Sequence, residues 1–118
     1  MPTRVLVLED DEAVANALSG DLRALGAEVL ASVSGCAAAL ELLWTNPPDV
    51  VILDTHSGNE TCEVVLEECR MQEIPTIIFS ALGATELPDF AAGLPSLSKS
   101  YQTGQLAIAL HSVHREAA

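Results

Sequence analysis

The residues with the clearest chemical potential each follow a short apolar run of the chain. Carboxylates follow two runs, at Glu9, Asp10 and Asp54, and a hydroxyl follows a third, at Ser80. The only lysine of the chain, Lys99, follows a fourth. If these runs are neighbouring parallel strands, all five groups meet at one edge of one sheet. Such a set suits Mg²⁺-assisted transfer of a phosphoryl group to an aspartate.

Each residue type has a place in that chemistry. Two carboxylates a few ångströms apart repel by about 4 kcal/mol at an effective dielectric of about 20, so the site favours a raised pKa or a bound cation. Oxygen ligands with room for water suit Mg²⁺. Asp54 is the candidate nucleophile, because a carboxylate accepts a phosphoryl group as an acyl phosphate. Ser80 would donate a hydrogen bond to the phosphoryl group, and Lys99 would pair with it.

Taken singly, these residues have ordinary structural interpretations. An aspartate after a strand is often a turn residue, and the acidic run 9–12 also suits the N-terminus of a helix. Serine at a strand end commonly bonds local backbone, and most lysines are solvated. The joint placement, one group at each strand end, is what favours a site.

The elements that would position these groups alternate along the chain. Strands are predicted near 4–8, 27–32, 49–53, 75–79 and 94–98, and helices over 12–25, 34–45, 60–71 and 103–115. Ser34 is a candidate cap for the second helix. Residues 81–93 contain Gly83, Pro88 and Gly93, which oppose a stable helix, so a weak helix is expected there.

This alternation predicts a doubly wound α/β fold. The strands form a five-stranded parallel sheet of order 2-1-3-4-5, with helices on both faces. Ligands bind such sheets where the strand order reverses, here between the first and third strands. Those strands end at Glu9-Asp10 and at Asp54.

Bulk composition narrows the function classes. A chain of 118 residues fits one domain, 1–118. A net charge of −12 with five basic residues argues against binding to nucleic acid or to an anionic membrane. No apolar run is long enough for a membrane span, and the start of the chain lacks a secretory signal, so we expect a cytoplasmic protein. Cys36, Cys62 and Cys69 are interpreted as small core-facing residues rather than a disulfide scaffold.

The sequence resembles the receiver domains of bacterial two-component response regulators over essentially the whole chain. The resemblance rests on the acidic residues that follow the first strand, together with Asp54, Ser80 and Lys99. The resemblance implies that Glu9, Asp10 and Asp54 bind Mg²⁺ together with the backbone carbonyl of His56. It also implies that Asp54 is the phosphoacceptor. The partner would be a sensor histidine kinase or a histidine phosphotransfer protein, and signalling would follow by contact with a downstream protein.

Two stretches resemble a receiver subfamily whose fourth strand reads PFxFATGY. The sequence here is Pro75-Thr-Ile-Ile-Phe-Ser-Ala-Leu82, and the loop 54–60 is similar to that subfamily's DxNLxGE loop. Two features depart from most receivers. Ser100 follows Lys99 where proline is usual, so either a cis bond costing roughly 2.5–4 kcal/mol is present or the loop differs. Ser96 stands where a switch aromatic is usual.

Three functions are compatible with these residues. The first is a single-domain response regulator, which is a phosphoacceptor with self-catalysed phosphotransfer rather than a turnover enzyme. The second is an interaction module with an idle site, which the departures at Ser96 and Ser100 favour. The third is an enzyme on a similar fold, but the acidic run 9–12 would repel the phosphate of a flavodoxin, and a dehalogenase-type phosphatase needs a DxD motif that the chain lacks.

Overall fold

The computed structural model describes residues 2–57, 60–81, 91 and 93–117. In chain order its elements are β1 (Arg4–Leu8), α1 (Glu12–Ala24), β2 (Glu28–Val33), α2 (Cys36–Thr45), β3 (Val50–Asp54), β4 (His56–Ser57), β5 (Glu60–Thr61), α3 (Glu63–Met71), β6 (Thr76–Ser80), β7 (Ser96–Ser98) and α4 (Thr103–Ala117).

The central sheet has the strand order β2-β1-β3-β6-β7, and every neighbouring pair is parallel. Its register places Leu8 opposite Leu53, and Ser80 opposite Ser98. Counted over the sheet strands alone, this is the order 2-1-3-4-5, so the predicted flavodoxin-like α/β fold is confirmed. The reversal of strand order falls between β1 and β3, beside Glu9 and Asp54.

Alternation of side chains along the strands divides the core into two clusters. Val5 and Val7 pack with the inward residues of α1 and α4, including Leu18 and Leu106. Leu6 and its neighbours on the same face pack with α2 and α3. Both faces of β1 and β3 are therefore covered, which explains why their sequences are continuously apolar. The buried strands give a rigid base for the residues at their carboxyl ends.

The segment after β3 differs from the prediction. Strands β4 and β5 pair as an antiparallel hairpin, with His56 opposite Thr61, and α3 begins at Glu63 rather than at residue 60. The sequence held a signal for this hairpin, because Gly58-Asn59 is a dipeptide typical of two-residue turns. Those two residues are not among the residues that the structure describes.

Smaller differences concern helix ends. The residue preceding α2 is Gly35, not the predicted cap Ser34. Asp11 caps α1, accepting a hydrogen bond from the backbone N of Val14 at 3.1 Å. Most of the weak helix predicted over 81–93 lies outside the described residues. Among the helices that the structure does describe, none has the length and apolar character that crossing a membrane requires.

Candidate functional site

The carboxyl edge of the sheet places Glu9 and Asp54 side by side. The backbone N of Glu9 donates to the carbonyl oxygen of Val33 at 3.0 Å, which continues the pairing with β2 one residue beyond β1. Asp54 is the last residue of β3. Both residues are buried, with 2% and 7% of their surfaces exposed. Two carboxylates are thus held in a largely water-excluded position at the strand-order reversal.

Lys99 bridges these two carboxylates. Its Nζ atom lies 2.9 Å from Oε2 of Glu9 and 3.0 Å from Oδ2 of Asp54. The backbone places it there, because the N atom of Lys99 donates to the carbonyl oxygen of Ser80 at 2.9 Å. Nζ also lies 5.7 Å from the centre of the Phe79 ring, within the range of a cation–π contact. One ammonium group is therefore shared by two acidic groups.

Asp10 completes an acidic cluster. Glu9, Asp10 and Asp54 each offer a carboxylate oxygen, and these oxygens lie within 4.8 Å of one another. Asp10 is exposed, whereas the other two are buried. Three carboxylates against one lysine leave an excess of negative charge that a divalent cation would neutralise. The cluster fits the Mg²⁺ site of a receiver domain.

Electrostatics at the bridge agree with this charge excess. Burial raises the pKa of the Glu9 carboxyl, and the neighbouring Asp54 carboxylate raises it further, although Lys99 opposes the shift. Burial alone would lower the pKa of Lys99, but its hydrogen bonds to Glu9 and Asp54 outweigh burial and raise the pKa. The lysine is therefore held firmly in its charged form.

Ser80 and His56 lie at the same edge. Ser80 is the last residue of β6, and its carbonyl is the anchor for Lys99. His56 begins β4 two residues after Asp54, which brings its backbone to the carboxyl end of β3. The predicted site residues are thus gathered at one edge of the sheet.

The turn after Lys99 has no cis peptide bond, so it is the loop that differs from that of most receivers. The peptide bond between Lys99 and Ser100 is trans, as are the other peptide bonds of the described residues. The backbone N of Tyr101 donates to the carbonyl oxygen of Ser98 at 3.0 Å, closing a tight turn. The Ser98 hydroxyl oxygen accepts from the backbone N of Ser100 at 3.1 Å. Side-chain bonding by serine therefore shapes this turn without proline.

An aromatic contact that the sequence did not reveal adjoins the site. The Tyr101 ring lies 6.1 Å from the Phe79 ring, and its hydroxyl donates to Oδ2 of Asp21 on α1 at 2.5 Å. Burial, followed by the bond to Asp21, raises the pKa of Tyr101 above its usual value of 10. A continuous line of contacts therefore runs from the acidic cluster to α1, through Lys99, Phe79, Tyr101 and Asp21.

Solved structures of receiver domains are similar to this architecture. The receiver domain of the Francisella response regulator 1452 superposes with a TM-score of 0.80 at 25% identity, covering 98% of this chain and 99% of that one. A CheY-like receiver domain from Methylobacillus flagellatus gives a TM-score of 0.82 at 21% identity, covering 96% and 99%. The fold is that of CheY-like receiver domains. These neighbours support a receiver domain of a response regulator.

Sequence comparison points the same way over part of a longer protein. The DNA-binding dual master transcriptional regulator RpaA of Synechocystis is 29% identical over an alignment of 107 residues that covers 85% of this chain. The same alignment covers 42% of that regulator, so this chain spans about two fifths of its length. No protein-family model matches the sequence.

Proposed function

We propose that this chain, residues 1–118, is the receiver domain of a two-component response regulator that is phosphorylated on Asp54. The observation that carries the proposal is the shared ion pair of Lys99 with Glu9 and Asp54, with Asp10 at hand. The desolvation penalty of a buried ion pair can exceed its Coulombic gain, so stability alone is a weak explanation for a lysine held between two buried carboxylates. The excess of carboxylates over basic groups supports a site at this edge that binds a cation and accepts a phosphoryl group.

The donor set fits a magnesium ion. Its members are carboxylate oxygens of Glu9, Asp10 and Asp54, and the backbone carbonyl of His56 is proposed as a further ligand. Mg²⁺ prefers such hard oxygen donors and keeps water and phosphate oxygens in its remaining positions. When bound, the ion would reduce the repulsion between these carboxylates and an incoming phosphoryl group.

The remaining chemistry belongs to the chain. An oxygen of the Asp54 carboxylate attacks the phosphorus of a phosphohistidine, the phosphorus–nitrogen bond breaks, and the imidazole leaves. Lys99 pairs with a phosphoryl oxygen as a compact charge, and the Ser80 hydroxyl donates to another. Because Glu9 also holds Lys99, the ammonium keeps a partner at the edge of the site when the charge on Asp54 changes. Hydrolysis of the acyl phosphate restores the carboxylate, so the domain is a phosphoacceptor rather than a turnover enzyme.

The phosphodonor that fits this chemistry is a sensor histidine kinase or a histidine phosphotransfer protein. The proposed output is contact with a downstream protein, and the proposed compartment is the cytoplasm. With a net charge of −12, the chain itself is unsuited to nucleic acid or an anionic membrane. The stretch 75–82 supports a place near the PFxFATGY subfamily, with serine where that motif has threonine.

The deciding experiment measures the intact mass of the protein after incubation with Mg²⁺ and phosphoramidate. We expect one added phosphoryl group that requires the metal and is absent in Asp54→Asn. The matched control is Asp49→Asn, because Asp49 immediately precedes the same strand at the opposite edge of the sheet and bonds the backbone N of Arg4 at 2.8 Å. That variant should be phosphorylated normally.

A different outcome would favour the interaction module with an idle site. Its structural support is Ser96, which leaves β7 without an aromatic side chain at the start of the strand. No adduct in the parent chain, together with no Mg²⁺-dependent change in melting temperature, would replace the phosphoacceptor proposal with that alternative. An adduct that persists in Asp54→Asn would place the modification on another residue.

A further inference from the structure

Two cysteine thiols lie in contact where two helices begin. Sγ of Cys36 and Sγ of Cys62 are 2.7 Å apart, and both side chains are buried. Cys36 is the first residue of α2, and Cys62 directly precedes α3. A disulfide bond joins sulfurs at about 2.0 Å, so bonding requires an approach of well under 1 Å. The two thiols are positioned as a pair rather than as independent core residues.

We propose that Cys36 and Cys62 form a reversible disulfide that joins the start of α2 to the start of α3. The third cysteine is a natural contrast. Cys69 is buried as well, and burial raises the pKa of its thiol to about 11, which disfavours the reactive thiolate. Because all three side chains are buried, the contrast rests on the contact between the sulfurs of Cys36 and Cys62.

The oxidant required is a peroxide, and the chemistry balances with it. The thiolate of one cysteine attacks a peroxide oxygen, giving a sulfenic acid and hydroxide. The sulfur of the second thiol then attacks the sulfenic sulfur, the S–S bond forms, and water leaves. In total two thiols and one hydrogen peroxide give one disulfide and two waters, with two electrons passing from sulfur to oxygen. A dithiol reductant reverses the step.

The bond would act beside Asp54. The backbone N of Cys62 donates to the carbonyl oxygen of Thr55 at 3.1 Å, so Cys62 closes the segment that begins directly after β3. A link from Cys62 to Cys36 fixes the end of that segment to α2. The disulfide is therefore a covalent restraint on the segment that follows Asp54, and its formation does not depend on the phosphoacceptor proposal.

The test treats the reduced, folded chain with hydrogen peroxide, then denatures it and alkylates the free thiols. With three cysteines in the chain, we expect three alkyl groups before oxidation and one afterwards, on Cys69. A dithiol reductant applied before alkylation should restore three. Cys69→Ala should retain the pairing and carry none after oxidation, whereas Cys62→Ala should keep two.

Two further readouts separate a built pair from chance oxidation. In denaturant, loop closure favours the nearer pair Cys62–Cys69 over Cys36–Cys62, so selective linkage of Cys36 to Cys62 must come from the fold. The oxidised chain should melt roughly 10 °C higher, because the link closes a loop between positions 26 apart. Three alkyl groups after oxidation, linkage of Cys62 to Cys69 in the folded chain, disulfides only between molecules, or a lower melting temperature would each overturn the proposal.

Discussion

A basic side chain lies at each edge of the sheet, Arg4 at the amino edge and Lys99 at the carboxyl edge, yet their partners differ in burial and in charge. At the amino edge, Arg4 donates to the Pro47 carbonyl at 3.1 Å and to Oδ1 of Asn46 at 2.7 Å, and its Nε lies 3.6 Å from Glu28. The Arg4 side chain is 32% exposed and that of Glu28 is 57% exposed, and Asn46 and Pro47 are also exposed. At the carboxyl edge, Lys99 meets carboxylates whose side chains are 0% and 10% exposed.

The difference supports a structural role for the amino edge and the proposed site at the carboxyl edge. The partners of Arg4 include a backbone carbonyl and a neutral amide, which fasten the chain before β3 to β1 without concentrating charge. The partners of Lys99 are carboxylates, and together with Asp10 they exceed it in charge. Exposed ion pairs contribute little to stability, whereas removing one partner of a buried pair leaves an uncompensated charge and is strongly destabilising.

The largest difference in the free energy of unfolding is expected between two variants, one without the basic side chain of Lys99 and one without that of Arg4. In the absence of divalent metal, Lys99→Ala leaves Glu9 and Asp54 buried without their shared cation, and we expect a loss of about 3 kcal/mol in the free energy of unfolding. Arg4→Ala should cost less than about 1 kcal/mol, since its partners are hydrated. Urea unfolding in the presence of a chelator measures both. Equal losses would show that burial does not distinguish the two edges.

Adding Mg²⁺ should sharpen this contrast. The ion and the ammonium neutralise the same carboxylates, so Mg²⁺ should raise the melting temperature of Lys99→Ala more than that of the parent chain. A difference of roughly 4 °C corresponds to about 1 kcal/mol for a domain of this size. Arg4→Ala should show the parent's response. A smaller Mg²⁺ shift in Lys99→Ala than in the parent would mean that the lysine assists metal binding rather than substituting for it.

Asp10 allows metal binding to be separated from stability. Its side chain is exposed, in contrast to Glu9 and Asp54, so Asp10→Asn should change the metal-free free energy of unfolding by less than about 0.5 kcal/mol. Mg²⁺ affinity should nevertheless fall at least about tenfold, a loss seen even for residues that only orient a ligand. Urea unfolding with a chelator gives the first value, and the Mg²⁺ dependence of the melting temperature gives the second, with Asp49→Asn as control for both. Unchanged affinity would remove Asp10 from the ligand set.

The sequence predicted the strand ends well because continuous apolar runs are typical of strands buried on both faces. The positions of Glu9, Asp54 and Ser80 followed from those runs. Spacing alone treats Glu9 and Asp10 alike, however, and the distinction depends on the pairing of Glu9 with Val33, which extends the ladder and keeps the Glu9 side chain buried. That pairing is long-range and has no local signal.

The contacts that sequence reasoning missed are likewise between distant positions. Tyr101 and Asp21 are 80 positions apart, and Cys36 and Cys62 are 26 apart. Each residue has an ordinary local interpretation, as a turn aromatic, a helix surface carboxylate or a small core residue. Only the order of strands and the packing of helices on the sheet bring each pair together.

Tyr101 extends the carboxyl edge to α1 and can be followed directly, because it is the only tyrosine of the chain. Its pKa lies above the usual 10, so phenolate absorbance should appear in the folded protein only well above pH 10. The neutral form is favoured by folding, so this contribution to stability is complete below pH 10 and is lost as pH rises through the folded-state pKa.

Asp21→Asn tests the cause of that shift. Removing the carboxylate charge should move the phenolate transition towards pH 10, while burial keeps part of the shift, since burial is the larger cause. Tyr101→Phe should abolish the transition without altering the proposed phosphorylation of Asp54, because the ring contact with Phe79 is retained. A transition at pH 10 in the parent chain would show that the hydroxyl does not hold Asp21 in solution.

The smallest effect is expected at the amino edge. Glu28→Gln removes a carboxylate whose side chain is 57% exposed and 3.6 Å from Arg4, and the free energy of unfolding should change by less than about 0.5 kcal/mol. That small effect should vanish in high salt, which screens exposed charges. Chemical denaturation at two ionic strengths measures it. A loss of free energy of unfolding close to that of Lys99→Ala would mean that Arg4 depends on Glu28 as Lys99 depends on its carboxylates. The charge of the partners would then not distinguish a structural ion pair from the proposed site.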